Sequence, residues 1–163
     1  MEIRQTTPQD DFDEISRIYA LSWKTAYRGI VPQHYLDELA ETQWSSVLRG
    51  GRLHSFVAVE DQAYIGTFSV CAARDAAMSG WGEIVSIYLL PEYFGKGYGE
   101  PLLEKAVAEL EKLGYDKIYL WVLEQNMRAR RFYEKNGFSQ TQDNITLEIG
   151  GKSLIETRYI RNI

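Results

Sequence analysis

The sequence is poor in the residues that build covalent and metal frameworks. Its one cysteine, Cys71, excludes an intramolecular disulfide and fits a reducing compartment. Two isolated histidines, His34 and His54, have no metal-ligand spacing, so no metal is expected. No apolar run approaches the roughly 20 residues of a membrane helix. The opening "MEIRQTTPQDD" lacks a basic region followed by an apolar one, the pattern of a secretory leader. These absences predict a cytoplasmic protein with no membrane partner. Positive charge is also scarce. With 18 Lys and Arg against 23 Asp and Glu, the net charge is −5, which argues against nucleic acid and suits cationic substrates. Repeats, low-complexity tracts and linkers are absent, and 163 residues suit one domain, 1–163, able to bury a core unaided.

What is present is periodic. Residues 2–5 read as a strand. "TTPQDDFDEISRIYALSW" reads as a helix with Thr7 as cap, Pro8 in the first turn and Asp10 at a box-like spacing. Ile15, Ile18, Tyr19, Ser22 and Trp23 share one face of it. Pro32 opens a second helical stretch bearing Tyr35, Leu36 and Leu39, and a third short one carries Trp44 and Leu48. "HSFVAVE" and "AYIGTFSVCAA" are strands joined at Asp61-Gln62, and "EIVSIYLL" is a third, ending at Pro91. An amphipathic helix follows, with Leu102, Leu103, Ala106, Val107, Leu110 and Leu113 inward and Gly114 as stop. "KIYLWVL" is a strand, Asn126 can cap a helix carrying Ala129, Phe132 and Tyr133, and "NITLEIGGKSLIETRYI" is a hairpin about Gly150-Gly151. The strand–loop–helix–strand run over 83–123 implies a parallel pair, and the hairpins imply antiparallel neighbours. The fold class is therefore α/β, a mixed sheet with packed helices.

The densest signal is "LLPEYFGKGYGEPLLEKA", which places Gly95, Gly97 and Gly99 between a strand and a helix. The first backbone N–H groups of a helix lack intrahelical partners and carry the positive end of its dipole. A glycine-rich entry lets a phosphate reach them. Lys96 adds charge. A tight turn without a ligand would use the same residues. The P-loop string is absent, and the dinucleotide fingerprint would need a small residue where Leu102 stands.

With Gly97 and Gly99 in its two glycine places, the loop resembles the acyl-coenzyme A loop, Gln/Arg-x-x-Gly-x-Gly/Ala, of the GNAT N-acetyltransferase superfamily. Phe94 departs from the usual glutamine or arginine. "EIVSIYLLPEYFGKGYG" is similar to that family's fourth strand and turn, and "LWVLEQNMRARRFYEKNGF" to its fifth strand and following helix. "SWKTAYRGIVPQHYLDEL" is similar to the acceptor-side helices of many members. The resemblance implies a mostly antiparallel sheet with a splayed parallel pair, helices on both faces, and acetyl-CoA as co-substrate without a metal. It places the pantetheine arm along Ile87, Tyr88 and Leu89, the pyrophosphate on Gly95, Lys96, Gly97, Tyr98, Gly99 and Glu100, and the cofactor arm near Asn126, which otherwise reads as a plain cap.

It further implies that Tyr133 protonates the leaving thiolate, the other reading being a core aromatic. Glu83 stands where several members carry a base, and Trp121 where others carry a glutamate. Trp23, Tyr27, Tyr35 and Trp81 would shape the acceptor side. The implied function is acetyl transfer from acetyl-CoA to a primary amine by direct ternary-complex attack. The acceptor would be a small cationic amine more readily than a protein N-terminus, in a possible homodimer. The alternative is a non-catalytic acyl-CoA sensor or partner-binding module.

Overall fold

The computed structural model describes residues 1–163. Seven strands form one sheet in the order β1-β2-β3-β4-β5-β7-β6. They are β1 (Glu2–Gln5), β2 (His54–Glu60), β3 (Ala63–Ala72), β4 (Gly82–Leu89), β5 (Lys117–Leu123), β6 (Ser139–Ile149) and β7 (Lys152–Asn162). Every pairing is antiparallel except β4 with β5. The helices are α1 (Phe12–Ala26), α2 (Gln33–Glu38), α3 (Ser45–Arg49), α4 (Gly99–Lys112) and α5 (Met127–Lys135).

The main core lies between the sheet and α4. Leu102, Leu103, Ala106 and Leu110 of α4 are completely buried against Ile65, Phe68, Val70, Ile84 and Ile118. Each such aliphatic side chain contributes about 1.5–3 kcal/mol by leaving water. On the opposite face, Phe12, Ile15 and Tyr19 of α1 pack with Leu48 and Val57. A third cluster joins Val31 and Leu36 to Leu123, Ile149 and Leu154, which seats the α1–α2 segment on β5 and the β6–β7 hairpin. No helix is long and apolar enough to cross a membrane.

Two features position the site. β3 pairs with β4 along its length, but the register skips Val85, with Ser69 opposite Ser86 and Val70 opposite Ile84. Such a bulge bends and twists the strand that carries it. β4 meets β5 only at Gly82↔Ile118 and Glu83↔Tyr119, whereas β5 stays paired to β7 from Lys117 to Leu123. Beyond Glu83 the parallel pair splays, and the β5-facing edge of β4 is left without a partner strand.

Two element boundaries differ from the sequence pattern. The first helix begins at Phe12 with Asp11 as its cap, accepting from the N–H groups of Asp13 and Glu14. Thr7–Asp10 is instead a turn, because the Asp10 carboxylate accepts from Arg4, Tyr64 and the Thr7 N–H and is not free to serve a helix. The strand β6 begins at Ser139, ahead of Asn144, and is irregular between Gln140 and Asn144.

Candidate active site

The splay opens a cleft of about 480 Å³, within the usual range of small-molecule sites. Four pieces of chain line it: the last turns of α1 (Ser22, Thr25, Ala26 and Tyr27), the end of β4 (Ile87, Tyr88 and Leu89), the glycine loop, and the inner face of α5.

The loop contributes Phe94, Gly95, Gly97, Gly99 and Glu100. Gly95 and Gly97 have φ of +72° and +89°, and a Cβ on either would touch no protein atom within 4 Å. The glycines are therefore demanded by backbone conformation, not by crowding within the protein. The turn they make delivers the chain into α4 with Tyr98 at the N-cap and no side-chain cap. The helix's first amides stay unclaimed by any side chain, beside the cleft, at the positive end of the dipole. The Glu100 carboxylate lies 3.6 Å from the Lys135 ammonium and is largely exposed. The side chains of Lys96 and Tyr98 are not among the cleft's lining. The Tyr98 hydroxyl donates to Glu60 at 2.8 Å, away from it.

α5 contributes Asn126, Arg128, Ala129, Phe132, Tyr133 and Lys135. Asn126 caps the helix, its Oδ1 accepting from the Ala129 N–H at 3.2 Å, so the cap and the cleft wall are one residue. Arg128 was not singled out by the sequence pattern. Its guanidinium lies 4.1 Å from the centroid of the Phe94 ring, and only burial perturbs it, pushing its pKa down. The residue type at 94 and the cation at 128 make sense together: an aromatic face holds the guanidinium at the mouth of the cleft. Arg130, by contrast, is committed to Tyr159, the Glu124 carbonyl and Gln140.

Tyr133 is 9% exposed, packed edge-on against Phe132 and Phe138. No hydrogen bond acts on its hydroxyl. Burial, and to a lesser extent the neighbouring Tyr88, push its pKa well above the ordinary phenol value, so it stays protonated across the neutral range. Tyr88 is held from behind by Trp23, whose indole N–H donates to its hydroxyl at 3.0 Å. Trp23 thus sets the position of a cleft residue without lining the cleft itself. Tyr27 lines it directly.

Glu83, expected as the base, is not brought to the cleft. It lies at the closed end of the β4–β5 pair, 2% exposed. Its Oε2 accepts from the backbone N–H and Nε of Arg74, both at 3.0 Å, and from the Tyr119 hydroxyl at 2.8 Å. Its Oε1 accepts from Arg74 Nη2 at 2.6 Å. Burial alone would raise its pKa, but the Arg74 and Tyr119 hydrogen bonds outweigh burial and leave it lowered. A carboxylate so satisfied is a poor proton acceptor. Tyr119, donating into it, is itself pushed up to about 12, by burial first and then by this bond.

Two aromatics expected on the acceptor side also lie elsewhere. Trp81 precedes the closed end of β4, with Lys117 Nζ 5.7 Å from its ring centroid. Tyr35 packs on the third apolar cluster, beside the β6–β7 turn at Gly150. No group of His, Cys, Asp and Glu side chains is arranged to hold a metal ion.

Known proteins share this architecture. A 29%-identical relative, the uncharacterized N-acetyltransferase YuaI of Bacillus subtilis, aligns over 90% of this chain and 85% of its own. The spermidine N(1)-acetyltransferase of Thermoplasma acidophilum is 27% identical over 85% of this chain and 88% of its own. Among solved structures, the PaiA N-acetyltransferase of T. acidophilum in complex with coenzyme A superposes with a TM-score of 0.77 at 23% identity, covering 99% of this chain and 98% of that one. The sequence profile described as the Acetyltransferase (GNAT) family matches residues 13–138, from α1 through the end of α5, and the chain belongs to that family of N-acetyltransferases.

Proposed function

We propose that the protein transfers an acetyl group from acetyl-CoA to a primary amine, a small cation in preference to a protein N-terminus, by direct attack within a ternary complex. The observation that carries this reading is the unpartnered hydroxyl of Tyr133 in the cleft between the free edge of β4 and the uncapped start of α4.

The chain's own groups fit acetyl-CoA. The unpaired edge of β4 at Ile87–Leu89 offers N–H and C=O groups to an amide-bearing arm, as a strand would. The amides entering α4, with Arg128 and Lys135 at the rim, suit a pyrophosphate. When bound, acetyl-CoA supplies the activated carbonyl. The role of the β4 edge is then to orient it, and an N–H near Leu89 is placed to stabilise negative charge on its oxygen.

Tyr133 manages the leaving group. A thiol of this kind has a pKa of roughly 8.5 and an unperturbed phenol about 10, and burial here moves the phenol higher still. Tyr133 therefore always has a proton to hold at the sulfur. Cys71 does not line the cleft, and burial, with the charge of Glu83, pushes its pKa up, which gives a cysteine nucleophile no support. The preference for a small cation is supported by the net charge of −5. It is also supported by the spermidine acetyltransferase of T. acidophilum among the relatives.

The test is acetyl-CoA turnover across a panel of small amines and N-terminal peptides, read as free thiol. Faster turnover with polyamines or alkylamines than with peptides is expected. Acetyl-CoA binding without turnover of any amine would favour a sensor and overturn the reading.

A further inference from the structure

With Glu83 sealed away, the cleft has no assigned partner for a cationic acceptor. Outside its lining, one half-buried carboxylate makes no hydrogen bond or ion pair. Glu156 lies on β7 opposite Leu123 of β5 and Ile145 of β6. Cross-strand partners share a face, and Leu123 belongs to the apolar cluster formed with Val31 and Leu36, so Glu156 emerges on the α1–α2 face of the sheet. There it is half-buried and takes no hydrogen bond. Tyr27, at the end of α1, packs on the same cluster as Leu123 and lines the cleft together with Tyr133. Tyr27 thus links the face that carries the unpartnered carboxylate to the cleft that holds the unpartnered phenol.

The charged groups around it on this face are engaged elsewhere: Lys152, on the same face of β7, donates to the Ile30 carbonyl at 2.9 Å. Arg74 is bound to Glu83, and Arg158, stacked on Trp121 at 4.6 Å, is bound to Asp75 and Asp143. Among these groups Glu156 alone has no partner. Burial raises its pKa, opposed only by the charge of Arg74, which moves this carboxylate toward the range of a useful base.

We propose that Glu156 receives the ammonium group of the acceptor and takes its proton, so that the acceptor is a primary alkylamine cation entering from the α1–α2 face past Tyr27. This rests on the acetyl-transfer reading for its chemistry. One N–H proton passes from the ammonium to the Glu156 carboxylate, which returns it to solvent. The freed nitrogen pair forms the N–C bond as the thioester C–S bond breaks, and a second nitrogen proton ends on the sulfur. An ammonium of pKa near 10.4 is neutral only about once in ~2,500 molecules at pH 7, so a proton acceptor beside it has a large effect.

The test uses the full chain and its Glu156→Gln variant. Calorimetry of linear mono-, di- and polyamines on the CoA-loaded protein should show at least one binding. That affinity should fall roughly 10- to 100-fold in Glu156→Gln, as expected for losing a charge-assisted bond. Acetyl-CoA affinity should be unchanged, which reports an intact fold. In turnover, kcat/KM should fall most near neutral pH, the loss narrowing as pH approaches the amine's own pKa.

Equal amine affinity in the two proteins, or no amine binding to the wild type, would overturn the assignment. An equal kinetic loss at every pH would overturn the proton-acceptor part. Binding that depends on Glu156 without thiol release would uphold the ammonium site while sinking the acetyl-transfer reading, so the two failures are distinguishable.

Discussion

β4 and β5 are joined at one end and parted at the other, and their side chains divide the same way. At the joined end, Glu83, Arg74 and Tyr119 satisfy one another through four hydrogen bonds. At the parted end, the β4 edge, the α4 amides and the Tyr133 hydroxyl lack protein partners. A buried polar group without a partner costs about 1–3 kcal/mol. The cleft groups are not sealed off as Glu83 is, so the fold satisfies its closed set internally and leaves the open end free to bind. The bulge at Val85 separates the two regimes. It adds one residue to β4, and such a bulge bends and twists the strand that carries it.

The largest expected effect is at the open end. Tyr133→Phe keeps the ring and its packing but removes the proton, so turnover should drop ~10²–10⁴-fold with the amine KM nearly unchanged. A CoA analogue with a more acidic thiol should suffer less. Steady-state thiol release measures both, and full turnover by the variant would reduce Tyr133 to a core aromatic.

Gly97→Val should come next. A β-branched residue at φ +89° meets no protein atom but is strained by roughly 1–3 kcal/mol. The loop should shift and the α4 amides lose their aim. Acetyl-CoA affinity by calorimetry should weaken strongly while the circular dichroism spectrum stays native. Unchanged affinity would detach the loop from the cofactor.

The joined end should respond in stability, not chemistry. Glu83→Gln leaves Arg74 and Tyr119 with a poorer acceptor and should cost about 1–3 kcal/mol in urea unfolding, with little change in turnover of the folded protein. The pH dependence follows from the sign of the shift. Because the folded pKa of Glu83 is lowered, its stabilisation is complete above the unfolded value near 4.3 and is lost as pH falls through the folded one. Asp10, lowered chiefly by the Arg4 hydrogen bonds, behaves alike. Acid unfolding of Glu83→Gln should therefore be shallower than that of the wild type. A rate loss as large as that of Tyr133→Phe would return Glu83 to the chemistry.

The same contrast explains what the sequence made legible. The glycine loop, the apolar face of α4, the Asn126 cap and the hairpins at Asp61-Gln62 and Gly150-Gly151 are short-range patterns, and the structure has them where the spacing puts them, except that Leu113, expected inward, is the exposed C-cap of α4, past the last turn that packs on the sheet. Most residues that the family resemblance assigns to the cofactor line one cleft. Glu83 was misjudged because its partners, Arg74 and Tyr119, come from the β3–β4 connection and from β5, and no local pattern announces them. The start of α1 moved for a similar reason: Tyr64, 54 residues away, helps to capture Asp10. Val85 is an ordinary strand residue whose bulge exists only in the register with β3. Arg128 becomes meaningful only once Phe94 is seen beneath it. Glu156 carries no sequence signal at all, because its place depends on β7 lying between β5 and β6.

The most direct test of the division between the two ends is a backbone amide NMR titration with acetyl-CoA. The amides of Ile87–Leu89 and Gly95–Glu100 should shift strongly, while those of Gly82, Glu83 and Lys117–Tyr119 stay in place. Shifts centred on the joined end, or no shifts in the glycine loop at saturating acetyl-CoA, would contradict the account.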